Sequence, residues 1–147
     1  MGPFEVRAMV ILLRVLFASI LALMLAGTVR ASLAQALFDI PREVYTNPWF
    51  QVTLLDAYFG FLTFFVWVAW KEGTAAARVL WFVAIMLWGN FALATYMLIE
   101  LSRIPASGPL AAVFVTRRPG RIGVPLAFTA VGALVYLLGA KNVLFGP

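Results

Sequence analysis

The chain contains no cysteine and no histidine. That excludes disulfides, thiolate or imidazole metal sites, cysteine-held iron–sulfur clusters, histidine-ligated haem and every histidine-based catalytic triad. Charge is scarce as well. Only 12% of the 147 residues are charged, against about 25% in soluble domains. A water-soluble domain of this length would lack the polar residues needed to coat its surface. The eleven basic and six acidic residues leave a net charge of +5. These charges stand singly or in short clusters between apolar stretches. The partners expected are therefore membrane lipids and their anionic headgroups, not nucleic acid. No cofactor and no metal is expected.

What the chain has in abundance is apolar sequence, 64% of its residues. Four runs stand out: residues 8–29, 52–70, 79–99 and 123–140. Each approaches the roughly twenty residues that cross a hydrocarbon core about 30 Å thick. Trp49, Trp70, Trp81 and Tyr96 bracket the second and third runs in the manner of interfacial aromatic belts. The fold expected is all-α, a single membrane domain built as a four-transmembrane-helix bundle in a bacterial inner membrane. The first run has a rival reading as a cleaved signal peptide, but Arg14 interrupts it and it exceeds the usual 7–15-residue core of such peptides. The start Met1-Gly2-Pro3-Phe4-Glu5-Val6 lacks the hydroxyl residue that a myristoylation site needs.

Residues 71–78 are short enough to make the second and third runs antiparallel neighbours. The long connections, 30–51 and 100–122, have room for short interfacial helices around Ala31–Phe38 and Pro109–Val115. Four crossings would place Gly73 and Ser107 on opposite sides. They divide the basic residues five against six, which leaves orientation undecided with a slight lean to both termini in the cytoplasm.

Several stretches bear a family likeness. Leu54-Leu55-Asp56-Ala57-Tyr58-Phe59-Gly60-Phe61 and Trp67-Val68-Ala69-Trp70-Lys71-Glu72 are two of them. Trp81-Phe82, Ile85-Met86-Leu87, Gly89-Asn90 and Tyr96-Met97-Leu98 follow, with Arg14-Val15-Leu16-Phe17 and Ala31-Ser32-Leu33 earlier in the chain. Over residues 12–101 the chain resembles the domain of unknown function 1475 family. It departs from that pattern at Arg30. The resemblance implies a small integral membrane protein of the kind found in bacteria and plants, with no activity to carry over.

Ionisable and polar groups inside a membrane are costly, so each asks for a reason. Asp56 shares a helical face with Thr53, Gly60 and Thr63. If the third run crosses antiparallel to the second, Thr95 and Tyr96 come to the depth of Asp56. Thr129 comes close if the fourth run enters from the same side, and Asn90 lies a turn or two deeper. Such a cluster reads first as interhelical hydrogen bonding in a structural or accessory membrane component. A second reading is a small dimeric transporter in which Asp56 carries a proton or cation. A third is a lipid-modifying enzyme, in which a buried acid protonates an isoprenoid against Tyr58, Phe59, Phe61, Phe64 and Phe65. Arg14, Arg117, Arg118 and Arg121 are expected at lipid headgroups, Arg14 by snorkelling from its helix. Ala18, Ala22 and Ala26 would let another helix, in this chain or in a second copy, approach closely.

Overall fold

The computed structural model describes residues 2–105 and 108–145. Seven helices are formed: α1 (Pro3–Ala34), α2 (Arg42–Tyr45), α3 (Pro48–Lys71), α4 (Ala75–Trp88), α5 (Asn90–Ser102), α6 (Ala111–Val115) and α7 (Gly123–Phe145). The described residues form no sheet. Three of the apolar runs correspond to the long helices α1, α3 and α7; α1 and α3 run past both limits of their apolar stretches, and α7 past its C-terminal limit. Prolines at the first turns of α1 and α3 are tolerated because the amide they lack has no helical acceptor there. Asn47 caps α3, its side-chain carbonyl accepting from the Trp49 and Phe50 amides at 2.9 and 3.3 Å. Of the two short helices expected in the connections, the one around Pro109–Val115 is present as α6. No separate helix forms over 31–38, where residues 31–34 continue α1, and the short helix of that connection is α2, at Arg42–Tyr45.

The third apolar run is not one transmembrane helix, and the four-crossing bundle is corrected on this point. It breaks at Gly89, whose φ of 50° and ψ of −123° end α4 and begin α5 on a single residue. The Gly89 amide donates to Ile85 O at 2.8 Å, and the Gly89 carbonyl accepts from the Leu93 amide at 3.1 Å. A side chain is excluded there twice over: by the positive φ, and because a Cβ would lie 2.6 Å from Phe61 Cζ. The two helices therefore fold back on each other as a hairpin. Trp81 and Tyr96, which would stand about 22 Å apart along one continuous helix, meet edge to face with ring centroids 4.8 Å apart. Buried Ala84 and Ala92 allow the close approach.

The hairpin is the centre of the molecule. Helix α5 lies along α1, α4 lies along α7, and α3 covers both arms through Phe64, Phe65, Trp67 and Val68. On the α7 side, Trp88 Nε1 donates to Phe128 O at 2.7 Å, and Gly132 gives Leu87 and Trp88 the space a side chain would take. The arms are about 20 Å long, whereas α3 extends about 36 Å at 1.5 Å per residue. Gly89 sits level with Phe61, so the hairpin reaches about halfway along α3 and stops. One end of the molecule, the base, holds the turn 72–74, the open ends of the hairpin and residues 103–105 and 108–122. The far end holds segment 35–47.

Candidate functional site: the ion cluster at the hairpin base

Lys71, the last residue of α3, and Glu100, one turn from the end of α5, are both fully buried and form an ion pair. Neither could stay ionised there alone, because burying a lone charge costs several kcal/mol. Glu100 is satisfied by three cations. Arg118 Nη2 lies 2.7 Å from Oε2, Arg118 Nε donates to both carboxylate oxygens at 3.0 and 2.8 Å, and Arg103 Nη1 donates to Oε1 at 2.6 Å. Lys71 also donates to Val113 O and lies 5.0 Å from the centroid of the Trp67 ring. The cluster thus ties α3, α5 and α6 to the segment after α6.

Backbone bonds carry the same closure. The Arg118 amide donates to Lys71 O at 2.8 Å, and Gly73 has no side chain because a Cβ would lie 2.6 Å from Arg118 O. Trp67 Nε1 donates to Phe114 O at 3.1 Å, which docks the C-terminal end of α6. Arg117 donates to Trp70 O at 3.1 Å and lies over the Trp70 ring. Residues 118–120 are folded against the α3–α4 turn, so Arg118 and Gly73 lie on the same side. This replaces the expectation that the loop and the turn face opposite sides. Ser107 itself lies outside the described residues.

Beside this cluster Tyr96 donates to Glu72 Oε1 at 3.0 Å, and both side chains are buried. Burial pushes the Glu72 carboxyl above the ordinary carboxylate range. The Tyr96 hydrogen bond pulls the other way, and the nearby Glu100 carboxylate adds to the rise. For Glu100 burial also favours the neutral form, but the hydrogen bonds from Arg118 and Lys71 outweigh it and hold that pKa below the ordinary range. The two carboxyls therefore contribute to stability in opposite pH windows. Because the folded pKa of Glu72 is raised, its contribution is present below the unfolded value and is lost as pH rises through the folded one. Glu72→Gln keeps an acceptor for Tyr96 and removes the titration. Thermal unfolding in detergent is expected to show wild type losing stability relative to Glu72→Gln as pH rises. Parallel curves would show that Glu72 is solvated.

The residues expected to converge on Asp56 do not do so. Asp56 and Thr53 lie on the exposed side of α3, with Thr53 Oγ1 bonded back to Trp49 O at 2.8 Å. Asn90 is exposed at the hairpin tip and Thr95 is half-buried on α5. Thr129 donates to Leu80 O of α4 at 3.3 Å. Tyr96 is buried, but its partner is Glu72, and its level on α3 is that of Trp67, about 16 Å along the helix from Asp56. The premise that failed is the direction of residues 90–99, which run parallel to α3. Arg14 turns inward, its Nη2 donating to Leu101 O and Ile104 O at 2.8 and 3.1 Å. These carbonyls at the end of α5 lack helical partners and favour a cation. Arg118 likewise turns into the cluster, while Arg121 is exposed.

In the sequence Lys71, Glu72 and Glu100 stand only as charges flanking apolar runs. The signal that would have brought them together is Gly89-Asn90 in the middle of the third run, because a break there returns Glu100 to the end of α3.

The family model matches residues 5–137, from the first turns of α1 to well along α7 and across the whole ion cluster. The chain belongs to the family described as protein of unknown function (DUF1475). The match reaches beyond the stretch that carries the sequence resemblance and takes in Arg103, α6, Arg118 and most of α7. No curated protein and no solved structure matches the chain. The chemistry of this family member rests on its own geometry.

Proposed function

We propose that the chain is an integral membrane protein with three crossings and one half-crossing hairpin, and that it serves as a structural or accessory component of the membrane. The observation that carries the membrane reading is the bareness of its apolar helices. Phe4–Ala34 and Pro48–Lys71 are each long and apolar enough to cross, yet only 6% of the apolar window in each is buried. A core helix of a soluble protein would be mostly covered. These helices instead present Leu23, Leu33, Val66 and Phe59 at 60–85% exposure, a surface that water does not support over such an area and lipid does. Helix α1 is tied into the fold through buried Val10 and through Arg14, which supports its retention as a crossing helix.

The accessory role draws its support from the ion cluster. Its charges are bound to one another at one end of the molecule, where they close the hairpin. Asp56 stands on an outer face away from them, so the described residues offer no chain of ionisable groups from one side to the other.

With the hairpin returning to its own side, Arg7, Arg14, Lys71, Arg78, Arg103, Arg117, Arg118 and Arg121 gather at the base, and Arg30, Arg42 and Lys141 remain at the far end. Eight against three satisfies the positive-inside rule with the base and amino terminus in the cytoplasm. Single cysteines at Gly2, Ala76 and Ser102 are expected to resist an impermeant maleimide in intact cells and to label after lysis, whereas Asp39→Cys labels in intact cells. Ser102 is the deciding position. Labelling of Ser102 together with Asp39 would mean that the third run crosses, and the proposed topology would fall.

A further inference from the structure

Because the hairpin stops about halfway, α1 and α7 continue past its tip with nothing between them. The result is a groove of about 610 Å³. Its floor is the hairpin tip, Leu87, Trp88 and Phe91, and its walls come from α1 and α7. Segment 35–40 closes the far end, held there by Phe38, whose ring meets Tyr136 edge to face at 5.9 Å and covers Gly139. The volume falls in the range of small-molecule sites.

We propose that this groove binds one acyl chain of a membrane phospholipid, a reading that rests on the membrane placement argued above. The floor lies near mid-membrane depth, and the lining is overwhelmingly apolar. Water does not fill such a space, because it would find too few hydrogen-bond partners. Trp88 Nε1, a polar atom of the floor, is already engaged by Phe128 O. The medium around the groove is hydrocarbon, and the small side chains of Ala31 and Ala36 in the lining leave room for a chain beside α1. Polar side chains are graded along α1. Thr28, Ser32 and Gln35 line the groove progressively toward the far end, where a glycerol ester or headgroup would sit, while Trp88 and Phe91 meet the tail. The lipid therefore enters sideways from the far leaflet, with its tail against the hairpin tip.

Native mass spectrometry of the full chain in mild detergent, titrated with dioleoyl phosphatidylcholine, tests this. Wild type is expected to show one saturable phospholipid adduct. Ala31→Phe and Thr28→Phe, which place a ring in the groove from α1, are each expected to weaken it at least tenfold. The cysteine-labelling pattern of both variants must match the parent, which shows that the fold is kept. Absence of a saturable adduct on wild type, or equal binding by wild type and both ring-filled variants, would overturn the proposal. Failure of the membrane topology itself would be read separately, from Ser102 labelling on the Asp39 side.

Discussion

Glu100→Gln is expected to destabilise the protein by about 3–5 kcal/mol, the cost of breaking a buried ion pair by removing one partner. The loss concentrates on Lys71. Arg103 and Arg118 retain 30% and 15% side-chain exposure and have a short path to water once their carboxylate is gone. Lys71 has no exposure, being enclosed by α6 and Trp67. With a neutral amide opposite it, the ammonium keeps one carbonyl and one aromatic face, which do not replace its hydration. Arg103→Ala removes only the most exposed of the three cations and is expected to cost about 1 kcal/mol or less. Lys71→Met combined with Glu100→Leu should recover much of the single-variant loss, because an apolar pair of similar volume carries no desolvation penalty. Circular-dichroism melts in detergent compare the four proteins. A double variant no more stable than Glu100→Gln would mean that the cluster holds the base together by more than charge pairing.

The pH dependence of that same group has a definite sign. The folded pKa of Glu100 is lowered, so its stabilisation is present above the unfolded value and fades as pH falls through the folded one. Glu72 acts in the reverse sense. The base of the hairpin thus loses one support on acidification and the other on alkalinisation.

How much of this was legible in the sequence depends on what each residue's role required. Helices α1, α3 and α7 follow from composition, since a continuous run of about twenty apolar residues satisfies its backbone within itself only as a helix. The hairpin was hidden for a physical reason. Both arms are apolar on all sides, and together they have the length of a single crossing, so neither periodicity nor length separates one helix from two. The site inherits that ambiguity. In the sequence Tyr96 stands out as a polar group inside an apolar run, but its partner depends on whether residues 90–99 run with α3 or against it. Reversed, the same phenol meets Glu72 in place of Asp56. Lys71 and Glu100 are 29 positions apart at the ends of different apolar runs, and only the return of the chain at Gly89 makes them neighbours. The acceptors of Arg14 are equally invisible in the sequence, because they are carbonyls created by the termination of α5.

Gly89→Ala is therefore the substitution that most directly tests the architecture. A residue with a Cβ at φ 50° and ψ −123° is strained by about 1–3 kcal/mol. The same Cβ would fall 2.6 Å from Phe61 Cζ, an overpacking that typically costs a further 1–3 kcal/mol. The expected loss is about 2–4 kcal/mol in all, allowing for partial relaxation of the Phe61 ring. Phe61→Leu shortens the side chain that occupies the site, so it should relieve the steric part in the double variant and leave the backbone part. Relief of strain has one further route open to it. Residues 75–102 joined as a single helix would be about 42 Å long, enough to cross the bilayer. That conversion would carry Glu100 away from Lys71 and take Ser102 to the far end. A fraction of Gly89→Ala molecules is thus expected to expose Ser102→Cys to the impermeant maleimide in intact cells, where the parent does not. Equal melting temperatures and unchanged Ser102 labelling would show that the turn does not depend on glycine, and the hairpin would then need another cause.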